Sequence, residues 1–281
     1  MLMLTPRPTV PDCVRAVGGV RVLLGRTLRG TAPLEIRESG GFRVRFPRAG
    51  SPCGRASPCE AVLINTGGGL TGGDRVATEA TLTPGARCVL TTQAAEKVYR
   101  SDGPDVEATV ALTLGSGSRL DWLPQETILF DGARLRRRLL VEMAADAALL
   151  LVESTVFGRA AMGETVRSGA FRDRWRIRRD GRLVFAEDVW LEGPIAAALA
   201  RPAVAKGGRA VATCLLVSPD AEGRLEAARA ALEGARSECG VSAYDGMLVA
   251  RFLSPDPGRL RADLIRYTES LRGPLPRSWQ T

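Results

Sequence analysis

Apolar and polar residues alternate along most of the chain. Phe42, Val44 and Phe46 are separated by Arg43 and Arg45, and Val76, Thr78, Ala80 and Leu82 follow the same rule. So do Val106, Ala108, Val110, Leu112 and Leu114, and Trp175 and Ile177 alternate with Arg174, Arg176 and Arg178. A period of two puts one set of side chains on a core and the other toward solvent, as in half-buried strands. Turn-forming residues separate the runs: Ser39-Gly40-Gly41, Pro84-Gly85, the GSGS at 115–118 and Asp180-Gly181. The spacing predicts about a dozen strands before residue 218.

Near the end the period changes. Ser218-Pro219 reads as a helix start, followed at helical spacing by Leu225, Ala228, Leu232 and Ala235, with Gly240 beyond the stop. A second start lies at Ser254 to Pro257, with Leu260, Leu264, Tyr267 and Leu271 on one face and Gly273-Pro274 ending it. Met247 to Leu253 reads as a strand between the two helices. The expected fold is mostly β, stacked sheets in a single domain spanning 1–281 with two C-terminal α-helices. The Pro-, Gly- and Ser-rich stretch at 47–59 is expected to be an exposed loop.

Composition narrows the chemistry. The 281 residues include no histidine, so no Ser-His-Asp or Cys-His pair and no imidazole metal ligand can be built. The formal charge is +8, and of the 39 cationic side chains only Lys97 and Lys206 are not arginine. Dispersed positive charge reads first as a solvated surface and second as a site for an acidic partner. The six cysteines are scattered without a CxxC pair, which is not a disulfide framework in a chain of this length. No apolar run approaches a membrane span, and the N-terminus carries prolines where a secretory apolar stretch would lie. The expected setting is the cytoplasm.

Four features carry candidate chemistry. The first is INTGGGLTGGD at 64–74, whose Gly67, Gly69 and Gly72 match G-x-G-x-x-G. That motif needs a following helix to hold a pyrophosphate, and residues 75–83 alternate as a strand instead, so a dinucleotide site is rejected. The glycines then serve either a tight corner or a close approach of another chain. The second is the pair Cys53 and Cys59, which lacks the further ligands a metal would need nearby. The third is a row of arginines, Arg172, Arg174, Arg176 and Arg178, with a second cluster at Arg136, Arg137 and Arg138. A nucleic-acid surface, a solvated face or an acidic partner would each account for it. The fourth is a set of acids within apolar segments: Glu96, Glu126, Asp131, Glu153 and Glu164. A buried carboxylate has to be paired, hydrogen-bonded or bound to a cation. Arginine partners for Glu96, Glu126 and Glu153 are one expectation. A polar path through the β core, binding divalent cations weakly through oxygen, is the other.

At these motifs the chain resembles the UreD/UreH family of urease accessory proteins. The matching strings are NTGGGLTGGD (65–74), TTQAAEKVYRS (91–101), WLPQETILFDGARLRRRL (122–139), ESTVFGRAAMGE (153–164) and RDRWRIRRDGRLVFAEDVWLEG (172–193), in order over nearly the whole chain. They include Gly67, Gly68, Gly69, Gly72, Gly73, Asp74, Thr91, Gln93 and Lys97. The resemblance implies a mostly β fold and a non-enzymatic role. Its implied partners are the urease apoprotein subunits, a UreF-like adaptor and a UreG-like GTPase, with no nucleic acid and no membrane.

The resemblance also implies that nickel is delivered to urease, with no permanently bound cofactor and a transient Ni²⁺ path through the protein. By motif position the path falls on Asp131 and Glu164, with Glu126 and the Thr91-Thr92-Gln93 group as looser candidates. Without histidine, nickel would have to meet carboxylates, carbonyls, hydroxyls, water or thiols, and the path would need a locally acidic interior. Two alternatives stand beside it: a scaffold that handles no nickel, and an Arg-rich β protein that binds nucleic acid.

Overall fold

The computed structural model describes residues 15–47, 58–159 and 162–280. Cys13, Cys53 and residues 48–57 of the expected 47–59 loop lie outside that set. Strands β1 (Val17–Thr27), β2 (Gly30–Ser39), β3 (Phe42–Arg45), β4 (Cys59–Asn65), β5 (Arg75–Leu82) and β6 (Arg87–Thr92) come first. They are followed by β7 (Glu96–Val98), β8 (Val106–Leu114), β9 (Arg119–Leu123), β10 (Thr127–Leu129), β11 (Arg134–Met143) and β12 (Ala148–Phe157). Then come β13 (Gly169–Arg179), β14 (Arg182–Gly193), helix α1 (Ile195–Ala200), β15 (Ala210–Val217), helix α2 (Leu225–Ala230), β16 (Glu238–Tyr244), β17 (Met247–Ser254) and helix α3 (Pro257–Arg272).

The strands form two sheets. The seven-stranded sheet runs β14-β13-β11-β8-β5-β1-β2, and the ten-stranded sheet runs β16-β17-β15-β12-β9-β6-β4-β3 with β10 and β7 attached beside β12. From β4 to β13 the chain passes repeatedly from one sheet to the other, so neighbours such as β5 and β8, or β6 and β9, are parallel. Parallel neighbours need a crossover, and here the crossover is a strand of the opposite sheet. The result is a β-solenoid-like stack. The turns at Pro84-Gly85 and 115–118 therefore join strands of different sheets (β5 to β6, β8 to β9). Asp180-Gly181 instead closes the β13–β14 hairpin, with φ of 50° and 72°, the left-handed pair a two-residue turn favours.

Two apolar layers hold the stack. Between the sheets lie Val22, Leu24, Leu90, Leu112, Leu120, Leu139, Leu151 and Ile177. On the other face of the ten-stranded sheet, Val152, Leu216, Leu248 and Phe252 pack against Leu260, Leu264, Tyr267 and Leu271 of α3. Asp256 caps α3 by accepting from the N–H groups of Gly258 (2.8 Å) and Arg259 (3.2 Å), and Pro257 occupies its first turn. Such a cap contributes about 1 kcal/mol. Gly273 ends the helix at φ 86°, where a side chain would be strained.

Several sequence expectations are revised. The strand count before residue 218 is higher than a dozen, because short pieces such as β7 and β10 carry too few residues to show a period. The first late helix is only Leu225–Ala230 behind a 3-10 turn at Glu222–Arg224. Ser218 does not cap it: its hydroxyl donates to Asp220 (2.6 Å). Helix α1 was not expected, and its Ile195 and Leu199 enter the inter-sheet layer. Cys59 is not in a loop but opens β4, in register with Cys88 of β6. A hydrogen bond from Cys88 lowers the Cys59 thiol pKa, and the same contact, with burial, raises that of Cys88. Among the described residues, no helix is long and apolar enough to cross a membrane.

Candidate functional site

The inter-sheet layer is interrupted by charge. In β11 the inward positions are Leu135, Arg137, Leu139, Val141 and Met143, and in β13 they are Phe171, Asp173, Trp175 and Ile177. Arg137 and Asp173 are register partners on adjacent parallel strands. Arg137 donates from Nε to Asp173 Oδ1 (2.9 Å) and from Nη2 to Asp173 Oδ2 (2.5 Å). Its Nη1 reaches across the gap to Glu153 Oε2 of β12. Glu153 Oε1 accepts from Trp122 Nε1 at 2.8 Å. All three charged side chains are under one-tenth exposed. Burial opposes the Arg137 charge, but Asp173 and Glu153 outweigh it and hold the guanidinium more firmly protonated than usual. Burial raises the Glu153 carboxyl above its ordinary range, against the pull of Arg137.

A cavity lies on each side of this triad. One, of about 320 Å³, is lined by Asn65, Gln93, Glu96, Lys97, Ala108 and Trp122 among others. The other, of about 570 Å³, is lined by Phe171, Asp173, Trp175, Glu187, Arg251 and Phe252 among others. Arg137 and Glu153 line both. The charge is uneven. The larger cavity sets Glu153, Asp173, Glu187 and Glu238 against Arg137 and Arg251. The smaller sets Glu96 and Glu153 against Arg43, Lys97 and Arg137. Glu187 pairs through Oε1 with Arg251, and its buried Oε2 has no hydrogen-bond partner among the described residues.

Glu96, at the start of β7, has no arginine. Asn65 Nδ2 donates to both of its oxygens (3.1 and 3.2 Å). Burial pushes its carboxyl up to about 7, against the Asn65 and Lys97 hydrogen bonds. The expectation of an arginine partner holds for Glu153 and for Glu126, which binds Arg261 at 3.0 Å. It fails for Glu96, whose two oxygens accept from Asn65 Nδ2 instead.

The glycine string builds the corner beside Glu96. Asn65 Oδ1 accepts from Gly67 N–H (2.9 Å), so one side chain ties the corner to the acid. A Cβ on Gly69 would meet the Tyr99 ring at 2.5 Å, and one on Gly72 would meet the Ser101 hydroxyl at 1.9 Å. Gly68 and Gly73 have φ of 75° and 90°. Asp74 is buried and accepts from Ala16 N–H and Thr71 N–H, both at 2.8 Å. Lys97 contributes its carbonyl to Leu70 N–H (2.7 Å). Thr91 meets Ser278 (3.2 Å), and Gln93 N–H donates to the Leu63 carbonyl (2.9 Å).

The two acids assigned by motif position lie elsewhere. Asp131, in the loop after β10, accepts from the N–H groups of Arg167 (2.7 Å) and Ser168 (3.1 Å) and from the Arg167 side chain (3.0 Å). Burial is the largest single influence and pushes its carboxyl up, but these contacts together outweigh it and hold the carboxyl below the usual range. Glu164 is bridged by Arg159 Nε and Nη2, both at 2.9 Å, which also holds it low. The Asp131 N–H adds to that effect, so the two loops touch. Asp131, Glu164 and Glu126 do not line either inter-sheet cavity.

Sequence reading missed Arg137 and Asp173 as interior groups. It grouped Arg137 with Arg136 and Arg138, whereas strand alternation sends Arg136 and Arg138 to the outer face and Arg137 inward. The signal was present: both residues occupy the apolar register of their strands. Three of the four arginines in the β13 row are paired, Arg172 with Glu192 and Arg174 and Arg176 with Asp188. Among the described residues no three Cys, Asp or Glu side chains are grouped to hold a metal ion.

Comparison with known proteins gives a consistent result. A family model described as UreD urease accessory protein matches residues 16–280. The chain is 50% identical to a urease accessory protein UreD of Methylobacterium sp. (strain 4-46), covering 98% of this chain and 99% of that protein. It is 47% identical to the UreD of Azorhizobium caulinodans, covering 96% and 98%. To that of Xanthobacter autotrophicus it is 48% identical, covering 95% and 91%.

Proposed function

The chain belongs to the UreD family of urease accessory proteins and acts in urease maturation rather than catalysis, and from that membership we propose that it is a cytoplasmic scaffold that also conducts Ni²⁺. In this reading residues 1–281 act as one domain that docks on the urease apoprotein subunits and recruits a UreF-like adaptor and a UreG-like GTPase. Nickel is cargo, passed on and never kept. Nucleic acid has no part in it, since three of the four arginines in the β13 row already face Glu192 and Asp188.

The observation that carries the conduit is the pair of inter-sheet cavities with carboxylates on their walls. Oxygen ligands hold a divalent cation loosely, and weak sites in series allow it to leave as well as enter. Asp131 and Glu164, on touching loops, are the outer acids of the path, and Glu126 stands off the cavity wall between Gln125 and Thr127, which line the smaller cavity. The guanidinium partners of Asp131 and Glu164, Arg167 and Arg159, are exchangeable counter-ions at the protein surface, whereas Arg261 beside Glu126 is half-buried. Asp131→Ala with Glu164→Ala should leave co-elution with urease intact and lower the nickel content per urease active site. Unchanged nickel content removes these two acids from the path.

A pure scaffold is the second reading. It is favoured by the arginine that each of Asp131, Glu164 and Glu126 already holds. The same double variant separates the two, because loss of co-elution rather than of nickel would assign the acids to docking.

A further inference from the structure

We propose that Arg137 is the charge gate of the inter-sheet path, a guanidinium plug that keeps cations from passing between the two cavities until it lets go of Glu153. The inference rests on the conduit reading and adds its regulation. Three observations carry it. Arg137 and Glu153 line both cavities, so the plug stands where they meet. Arg137 is buried and occupies Glu153 Oε2, a carboxylate oxygen on the wall of both cavities, so a cation gains that ligand only by displacing the guanidinium. Finally, the plug is held unequally. Two of its nitrogens, Nε and Nη2, are tied to Asp173 in its own sheet, whereas Nη1 alone reaches the other, to Glu153 and, at 3.4 Å, to Thr127 Oγ1.

The unequal hold gives the gate a direction. Asp173 keeps the guanidinium against the seven-stranded sheet when the single bond to Glu153 breaks. Glu153 remains anchored by Trp122 Nε1 and is then free to face a cation. A cation in the larger, acid-rich cavity competes with Arg137 for Glu153. So does any partner that eases the two sheets apart. Thr127 Oγ1 (3.4 Å from Arg137 Nη1) and Thr155, on the larger cavity's wall, offer neutral oxygens beside the same carboxylate.

The test uses the full chain bound to apo-urease and its accessory partners without nucleotide, with free Ni²⁺ as the probe, reading the rate at which urease gains nickel. Arg137→Gln removes the charge and should speed loading about tenfold, whereas Arg137→Lys keeps the charge and the slow rate. A merely structural arginine predicts the opposite, with both variants slower. If Arg137→Gln fails to assemble, Arg137→Gln with Asp173→Asn conserves net charge and should show the same gain. No gain in an assembled neutral variant overturns the gate. Ala108→Leu, which fills the smaller cavity, tells that failure from failure of the conduit. Slower loading in this variant keeps the path and rejects only the gate, while unchanged loading rejects both.

Discussion

Carboxylate–guanidinium pairs occur in two settings in this protein. Arg137, Glu153 and Asp173 meet between the sheets, each under one-tenth exposed. Asp131–Arg167 and Glu164–Arg159 meet at the loops, where the Arg167 side chain is 80% exposed. The chemistry is the same, but the solvent is not. At the surface, water and salt screen the pair, and either partner can be replaced by solvent. In the interior, losing one partner strands a charge that water cannot reach. The buried Arg137–Glu153 pair therefore ties the two sheets together and yields only to a competing charge or a separating partner, while surface pairs exchange partners freely.

The comparison can be broken most sharply at Glu153. Glu153→Ala should cost about 2–6 kcal/mol in urea unfolding, because it leaves two buried donors, Arg137 Nη1 and Trp122 Nε1, without their acceptor, at about 1–3 kcal/mol each. A loss no larger than at the surface pairs would show that water reaches the triad.

Glu96 is a third case, a buried acid with an amide partner instead of a cation. Its folded pKa of about 7 lies above the ordinary 4.5. Between those values the folded protein holds a proton that the unfolded chain has released, so stability falls as pH rises through that window. Glu96→Gln should match the parent near pH 4 and be more stable above pH 7, by roughly 3 kcal/mol. Thermal melts at the two pH values check this, and equal differences at both would place water around the carboxylate.

Replacing the whole triad tests whether its role is stability at all. Arg137→Met with Glu153→Leu and Asp173→Leu should lie within about 1–2 kcal/mol of the parent, far less than the single variant costs. At the loops, Arg167→Ala should change stability by at most about 1 kcal/mol, and less in high salt. A salt-insensitive loss there would mean that the loop pair is effectively buried.

Much of the fold was legible in the sequence, for a stated reason. In the seven-stranded sheet one face meets water, as in β11, so apolar and polar residues must alternate. In β12 both faces are covered, by the opposite sheet and by α3, and nearly every residue from Leu149 to Phe157 is buried. There the period vanishes, and Glu153 gives no sign of which layer it enters. Helix α3 showed its full 3.6-residue stripe. Helix α2 has less than two turns, too short for spacing to reveal where it stops.

The local pattern of side chains determined that this chain is mostly β, that the glycine string opens no helix and that the family strings occur in order. Those properties depend on neighbours a few residues apart. Which strands are parallel, that the inward Arg137 finds its partners 16 and 36 positions away, and that Glu96 rather than Asp131 faces a cavity were decided only by the stacking of the two sheets. Burial and charge pairing depend on what lies across the gap, and the sequence does not record that distance.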